Sequence, residues 1–513
     1  MTTALLVPPL WAQTSTGVGL SPARGWIITP SLTMAETYTD NVRLAPAGSQ
    51  RTEWVTTITP RVSVTETGPR LRLNATYSPQ LVYRANQETH SVFQAFTGAG
   101  NAELVRQVFY VDANASVSQT NASILGPQAG SNVYNTGNRT SVATVSVSPY
   151  VRHKFGNDAE GVARYTYSTV NFNAVDGGTT TPASNTHQSG INLLLSSGPA
   201  FKVYTWNVSY NEQTLSGSQG QGVTTQSLSA GGRRLLTYQL YFVTSFGYTK
   251  SDYQTVGGAS NHGITSSYGL QWTPSPRTNV TATLGKSYYG DNRAFDLSYR
   301  TPRSVWNASY SETISSTHSQ FASPSAVSTA SLLDSLFAAN FPDPLLRQQA
   351  IKTYIAQNGI PESTVISREL LSEQFFLSKR LSASAGILGR RNTVLASVFR
   401  QKSENQSTTT ALNGAGDFTQ SSTNTITGAT LNWSSRLSPI ANASVNGTYT
   451  RTELPGIGGG RVDSLKSVQV SLTRQFAKGQ SGSLTYHKSQ TNSNQSAASY
   501  AENAVTASIA LRY

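Results

Sequence analysis

The strongest constraint in this sequence is an alternation of apolar and polar residues with a period of two. The end of the chain shows it most clearly, where one parity carries Val505, Ala507, Ile509, Leu511 and Tyr513. The residues between them are small or polar, apart from the charged Arg512. Because successive side chains of a β-strand point to opposite faces, this pattern predicts strands with one apolar and one polar face. Similar segments recur along nearly the whole chain.

Composition removes several other readings of the sequence. The chain has 513 residues, of which 12% are charged and 37% hydrophobic, and it contains no Cys. A soluble domain usually carries about 25% charged residues, so a large soluble surface is poorly supported. The 24 Tyr, 17 Phe and 7 Trp argue against disorder, since disordered chains are poor in aromatic residues. The absence of Cys excludes disulfides, thiol chemistry and Cys-ligated zinc.

Strand length and loop length separate a membrane barrel from a soluble β-sandwich. The alternating segments run for roughly 10 to 16 residues, whereas soluble strands average about 5–6 and a tilted bilayer-spanning strand needs about 9–11. No segment reaches the roughly 18 apolar residues of a transmembrane helix. Short connections, such as 67–69 and 477–479, alternate with long polar loops, such as 122–137 and 404–422. The sequence therefore predicts an all-β, single-chain transmembrane antiparallel β-barrel of about 22 strands (20–24) over residues 25–513.

The ends of the chain complete this prediction. Residues 1–24 are expected to be the remnant of a signal peptide or a periplasmic tail, because a short apolar core lacks the preceding positive charge. An even strand number predicts that both termini are periplasmic in a Gram-negative outer membrane. Aromatic residues near strand ends are expected to form interfacial girdles. These are Trp26, Tyr38, Trp54, Tyr83, Tyr110, Tyr150, Trp272, Tyr288 and Trp433.

Residues 325–362 break the alternation and predict a helical insert between strands fifteen and sixteen. Helical spacing first relates four apolar residues, Leu332, Leu333, Leu336 and Phe337. Asp343 and Pro344 are a favourable N-cap and first helical residue for a second helix. The apolar stripe of that second helix comprises Leu346, Ile351, Tyr354 and Ile355. The insert could cap the barrel mouth, fold into the lumen as a plug, bind a partner, or pack on itself as a loop.

The formal net charge of +13 is spread along the chain rather than clustered, so we expect no nucleic-acid binding. Some charged residues fall on the polar parity and are candidates for lining the lumen: Arg61, Arg70, Arg72, Arg164, Asp296 and Arg300. Others, including Arg233 and Arg234, are assigned to turns. A basic lumen favours anions, although general solvation of a wide wet interior explains the same charges. Basic residues at the rim could also pair with lipopolysaccharide phosphates.

No recognisable catalytic or cofactor motif is present. The 6 His have no metal-ligand spacing, and no Gly-x-Ser-x-Gly elbow occurs, so we expect no metal site, no cofactor and no enzymatic activity. With this many serines, the sequence leaves a Ser–His pair open.

Several segments of the chain carry a resemblance to a known family: 29–32, 36–46, Phe341–Pro344, Arg391–Val394 and Leu511–Tyr513. With these segments the chain resembles outer-membrane β-barrel proteins associated with PEP-CTERM/exosortase exopolysaccharide systems, which are related to β-barrel porins of exopolysaccharide loci. The resemblance implies an outer-membrane location and a link to exopolysaccharide production, but no catalytic residues. Ile509, Leu511 and Tyr513 also resemble the aromatic signal read by the barrel assembly machinery.

Three functional hypotheses follow. The first is a passive, porin-like channel for exported polysaccharide, with a polar, basic lumen gated by the insert and with periplasmic export partners. The second is a non-transport barrel that anchors or assembles surface polysaccharide through its outer loops. The third is a barrel enzyme acting on lipid or polymer, which a Ser–His–acid constellation would favour.

Overall fold

The alternating segments form one antiparallel sheet in the computed structural model. The structure describes residues 25–175, 184–217, 222–258, 260–322, 329–338, 341, 347–348, 350–351, 354–355, 370–372, 374–408, 421–456 and 460–512. Residues 1–24, Asp343, Pro344, Leu346 and Tyr513 of the predictions lie outside this part of the chain.

The strand segments are β1 (Trp26–Thr39), β2 (Glu53–Thr67), β3 (Leu71–Tyr77), β4 (Gln80–Arg84), β5 (Thr89–Phe93), β6 (Phe96–Val105), β7 (Phe109–Asn121), β8 (Arg139–Phe155), β9 (Ala159–Ala174), β10 (Thr186–Ser197), β11 (Tyr204–Gly217), β12 (Val223–Thr237), β13 (Leu240–Ser251), β14 (His262–Ser275), β15 (Thr278–Ser287), β16 (Gly290–Arg300), β17 (Ser304–Ser315), β18 (Phe376–Leu388), β19 (Asn392–Asn405), β20 (Thr423–Ser438), β21 (Ala441–Leu454), β22 (Arg461–Ala477), β23 (Gln480–Ser493) and β24 (Tyr500–Arg512).

Two barrel strands are each broken into two segments. β3 and β4 both pair with β2, and they pair in turn with β6 and β5. Pro79 lies at the first break, where its missing N–H cannot join a ladder. The 24 segments therefore make a closed barrel of 22 antiparallel strands. This confirms the predicted fold class and strand number.

Pairing of the first strand with the last closes the barrel. The register of β1 on β24 runs from Ser31 opposite Arg512 to Thr39 opposite Ala504. Closure matters because hydrocarbon offers no water to an unpaired backbone group, and only a closed sheet satisfies all of its strands.

The two ends of the barrel differ in their connections. At one end, hereafter the short-turn end, strands are joined by brief turns such as 68–70, 238–239 and 478–479. At the other, the long-loop end, the connections include 40–52, 122–138 and 316–375. The described part of the last connection includes the helices α1 (Thr317–Ala322) and α2 (Thr329–Phe337). Residues 347–348, 350–351 and 354–355 of the same connection are also helical. Among the described residues, no helix is long and apolar enough to cross a membrane.

The outward face of the barrel is apolar and exposed. Outward side chains such as Leu228, Phe246 and Tyr268 are 55%, 62% and 59% exposed, as expected for residues that contact lipid. Trp26, Trp54, Trp272 and Trp433 are likewise exposed near strand ends.

Two aromatic residues predicted for the girdle lie elsewhere. Tyr110 and Tyr150 are partners in the register of β7 and β8, and both face inward. The next residue of β8, Val151, faces outward and is 43% exposed. The two tyrosine rings stack with centroids 5.1 Å apart. On this inward face the ring of Tyr150 also contacts a guanidinium group, as described below.

Polar contacts across neighbouring strands line the inward face. Serine and threonine hydroxyls pair at 2.7–2.8 Å at Ser209–Ser229, Ser245–Ser267, Ser309–Ser382, Ser471–Thr485 and Ser483–Ser508. Such pairs stabilise an antiparallel sheet and leave a surface that water can wet.

Inward side chains of neighbouring strands also pack closely at one glycine. A Cβ at Gly428 would lie 2.3 Å from the ring of Phe399, so only glycine fits beneath that ring.

The inward and outward assignments can be tested with adjacent residues of β12. We expect Leu228→Arg to reduce the free energy of folding into lipid vesicles by about 2–4 kcal/mol, because a guanidinium would be placed against hydrocarbon. Ser227→Arg, on the inward face, should change it far less. Equal losses for both variants in urea titrations would contradict the assignment.

Candidate functional site

Described residues of the connection between β17 and β18 lie in the lumen; this connection (residues 316–375) is hereafter the inner segment. Its first helix, α1, docks on inward residues of β8–β10. The rings of Phe321 and Phe172 meet edge to face, with centroids 5.6 Å apart. Nε2 of His318 lies 2.8 Å from Ser168 Oγ, and its Nδ1 lies 2.9 Å from Thr186 Oγ1. Ring packing and hydrogen bonds together fix α1 against the wall.

The end of the inner segment returns to the same place. The Thr317 hydroxyl donates to the carbonyl oxygen of Leu370 at 3.0 Å. Leu371 is buried with Val142, Val170 and Phe172 on the wall. The two ends of the inner segment are therefore held together at the long-loop end.

Helix α2 packs against β17, β18 and β19 near the short-turn end of the barrel. Leu333, Leu336 and Phe337 form a buried cluster with the inward residues Val305 and Leu395. Ile351 and Ile355 belong to the same cluster. A Cβ at Gly386, also inward, would lie 3.3 Å from Leu336 Cδ1. The apolar face of the insert is thus buried against the inside of the barrel.

Polar contacts accompany this packing. Arg347 Nε donates to Asp334 Oδ1 at 2.7 Å. The Tyr354 hydroxyl hydrogen-bonds Thr393 Oγ1 of β19, and the Tyr354 ring meets that of Phe337 with centroids 5.3 Å apart.

The contacts show how deep the inner segment reaches. Phe172 lies two residues from the long-loop end of β9, whereas Val305 lies one residue from the short-turn end of β17. Described residues of the inner segment therefore contact the barrel wall near both ends of the lumen. A barrel of about 22 strands is wide enough to hold such a plug.

A second connection closes part of the mouth. Residues 122–138, hereafter the mouth loop, contribute Ile124 to a cluster with Leu370 and Phe376, and Tyr134 to a cluster with Leu44 and Tyr500. Arg139 Nη1 donates to the carbonyl oxygen of Ser131 at 2.7 Å. The mouth loop is thus bound to the inner segment as well as to the wall.

Inward arginines encircle the lumen towards the short-turn end. This arginine ring consists of Arg72, Arg152, Arg164, Arg233, Arg300, Arg436 and Arg512. Arg164 pairs with Asp112 at 2.7 Å, and Arg152 pairs with Glu160. Aromatic faces hold two guanidinium groups, with Arg164 4.0 Å from the centroid of Tyr150 and Arg233 4.6 Å from that of Tyr241. The ring carries more positive than negative charge.

The predicted lumen residues divide into two groups. Arg61, Arg72, Arg164, Asp296 and Arg300 occupy inward positions of their strands. Arg70 differs, because it lies in the short turn between β2 and β3 rather than on a strand.

Sequence reasoning assigned Arg233 to a turn, but it lies within β12 and faces inward. A stricter parity count from the outward Leu228 would have found it. Among the described residues, no group of three or more His, Asp or Glu is arranged to hold a metal ion.

Comparison with known proteins gives distant similarities only. No family model matches the chain, and no curated protein matches it. The siderophore receptor PirA from Acinetobacter baumannii aligns with 95% of this chain and 80% of its own, at 8% identity and a TM-score of 0.46. The FrpB iron transporter from Neisseria meningitidis aligns over 94% and 81%, at 10% identity and 0.48. The outer membrane protein OpdK from Pseudomonas aeruginosa aligns over 95% and 99%, at 7% identity and 0.38. Similarities this distant assign no function.

The docking of α1 should depend on pH. Burial lowers the pKa of His318 to about 4, and the charge of His187 acts in the same direction. Because this pKa is below the unfolded value of about 6.5, the contribution to stability is complete above pH 6.5 and is lost as the pH falls towards 4. A nitroxide label at Ala322 should become more mobile over this range, and His318→Gln should abolish the change. Unaltered mobility at pH 4 in the native sequence would contradict this assignment.

Proposed function

We propose that this protein is an outer-membrane transport channel whose lumen is obstructed by its own inner segment. The observation that carries the proposal is the packing of α2 on Val305, Gly386 and Leu395, which all face inward. A segment that fills the lumen of a wide barrel lowers its permeability, and moving that segment opens a path. Transport through the opened lumen is passive, because nothing in a barrel wall couples transport to an energy source.

The arginine ring supports a preference for anions. Rings of charged side chains set the selectivity of pores, and this ring has more guanidinium than carboxylate groups. Solutes that cross the lumen would meet it at the short-turn end. An acidic exopolysaccharide is the substrate class that agrees both with this charge and with the sequence resemblance to exopolysaccharide-associated barrels.

We further propose that the long-loop end faces the cell surface, so that both termini are periplasmic. Outward basic residues near this end support the orientation, since they could pair with lipopolysaccharide phosphates: Lys250, Lys379, Arg400, Lys402, Lys466 and Lys488. Insertion by the barrel assembly machinery and contact with periplasmic export partners belong to the same proposal.

A non-transport role is the second candidate. The inner segment is held by apolar clusters at both ends of the lumen and by hydrogen bonds of His318, Thr317 and Tyr354. A segment bound this firmly could be permanent, and the barrel would then present its loops as a surface for polysaccharide.

Planar-bilayer recordings test the proposal. The intact refolded barrel should show little conductance. Deletion of residues 325–362 should give large, steady channels, because it removes α2 from the lumen. The deletion keeps α1 and its contacts with the wall. In a salt gradient those channels should be anion-selective. Replacing Arg72, Arg233 and Arg436 with Gln in the deletion variant should shift the reversal potential towards zero.

Two controls accompany the recordings. Replacing the outward Arg234 with Gln should leave the reversal potential unchanged. Silence of the deletion variant, with a folded barrel verified by heat-modifiable migration on gels, would reject the channel and favour the anchoring role.

A further inference from the structure

Three inward side chains on adjacent strands form a hydrogen-bonded chain near the long-loop end. Ser467 of β22 places its Oγ 3.0 Å from Nε2 of His487 of β23. Nδ1 of His487 lies 3.0 Å from Oε2 of Glu502 of β24. A hydroxyl and a carboxylate thus occupy opposite nitrogens of one imidazole, which is the connectivity of a serine hydrolase triad.

The surroundings of the carboxylate select the tautomer that such a triad needs. Glu502 is fully buried, and its Oε1 accepts hydrogen bonds from Thr39 Oγ1 and from the Tyr134 hydroxyl, each at 3.0 Å. Its Oε2 is left to accept from Nδ1–H of His487. In a neutral imidazole with this Nδ1–H, Nε2 is the acceptor nitrogen, and it faces the Ser467 hydroxyl.

Accessibility increases along this chain of residues. Glu502 is 0% exposed, the side chain of His487 is 25% exposed, and Ser467 is partly exposed towards the lumen. A buried acid, a partly covered base and an accessible hydroxyl suit attack on a molecule in the lumen.

A second histidine in the lumen shows what a purely structural pair looks like. His318 contacts Ser168 through Nε2 and Thr186 through Nδ1, so a hydroxyl rather than a carboxylate lies on the far side of its ring. Its exposure is 1%. His487 differs in both respects.

Anchoring of the mouth loop explains only part of the arrangement. Tyr134 holds the loop to Glu502 and lies 3.1 Å from Nδ1 of His487. Burial and the carboxylate raise the pKa of Tyr134, which keeps its hydroxyl protonated as a donor. This role requires nothing at Nε2, where Ser467 is found.

We propose that Ser467, His487 and Glu502 form a hydrolytic site for carboxylic esters, such as acyl groups carried on the hydroxyls of a saccharide within the lumen. His487 Nε2 takes the proton of Ser467 as Oγ bonds to the ester carbonyl carbon. The carbon–oxygen bond to the alcohol breaks, and the alcohol leaves with that proton. Water then attacks the acyl-serine, and the carboxylic acid is released as Ser467 regains a proton.

The remaining groups have defined parts in this reaction. Glu502 is a positioning residue that orients the imidazole. Gln469 lies two residues from Ser467 on the same face, opposite His487 in the register. In this proposal its side-chain amide N–H is the donor assigned to the oxyanion. The site needs only an occupant of the lumen and does not depend on whether the lumen conducts ions.

The test uses the refolded full chain in detergent micelles. A fluorophosphonate should label Ser467, as located by mass spectrometry, and the protein should hydrolyse p-nitrophenyl butyrate. Ser467→Ala and His487→Gln should each lower hydrolysis at least about 100-fold. Glu502→Gln should lower kcat at least about tenfold with KM within about twofold, and Glu502→Asp should restore part of the loss.

Ser168→Ala, in the structural pair, is the matched control and should retain native hydrolysis. Folding of each variant is checked by heat-modifiable migration, and labelling of the native chain needs no variant at all. Labelling of Ser467 no faster than that of Ser168, or native hydrolysis by folded Ser467→Ala, would overturn the proposal. Because Ser467→Ala leaves the inner segment intact, the bilayer recordings would be unaffected by either result.

Discussion

The closing ladder between β1 and β24 is the interaction on which the rest of the structure depends. Each strand of the sheet lies against hydrocarbon on one face, where a backbone N–H or C=O group without a partner costs several kcal/mol. Pairing Ser31–Thr39 with the last strand removes both edges of the sheet. Once the sheet is closed, side-chain parity acquires a fixed meaning, because each residue faces either lipid or lumen. The apolar exterior and the polar, hydroxyl-rich interior follow from that division.

Closure at 22 strands creates a second requirement, which is that the wide interior be filled with water or with protein. Arginines and hydroxyls line a wettable wall, while the inner segment and the mouth loop bury their apolar residues inside. Val305, Gly386 and Leu395 provide a complementary apolar patch for the insert on the inward face. The same enclosure brings Tyr134 of the mouth loop to His487 and Glu502, which are far from it in the sequence.

The sequence predicts what depends on local pattern and leaves open what depends on cross-strand register. Period-two alternation and loop lengths are local, so the strand number and the position of the insert between strands fifteen and sixteen follow from them. Parity also places Arg61 and Arg164 inward. It gives no height along the barrel and no identity of neighbours across strands. Tyr110 and Tyr150 therefore looked like interfacial aromatics, although they stack inside beside Arg164. Ser467, His487 and Glu502 meet because the stagger between β22, β23 and β24 aligns them diagonally, which no spacing in the sequence reveals.

The location of the insert inside the barrel can be measured directly by cross-linking. The chain contains no Cys, so two can be introduced without background. With one Cys replacing Leu336, a short bifunctional thiol reagent should join it to a Cys at Gly386, which faces the lumen. It should not join it to a Cys at the neighbouring Ile387, which is 42% exposed on the outward face. Cross-linking at 386 alone is the predicted result. Equal yields at both positions, or none at 386 when both thiols are reactive, would contradict a plug inside the lumen.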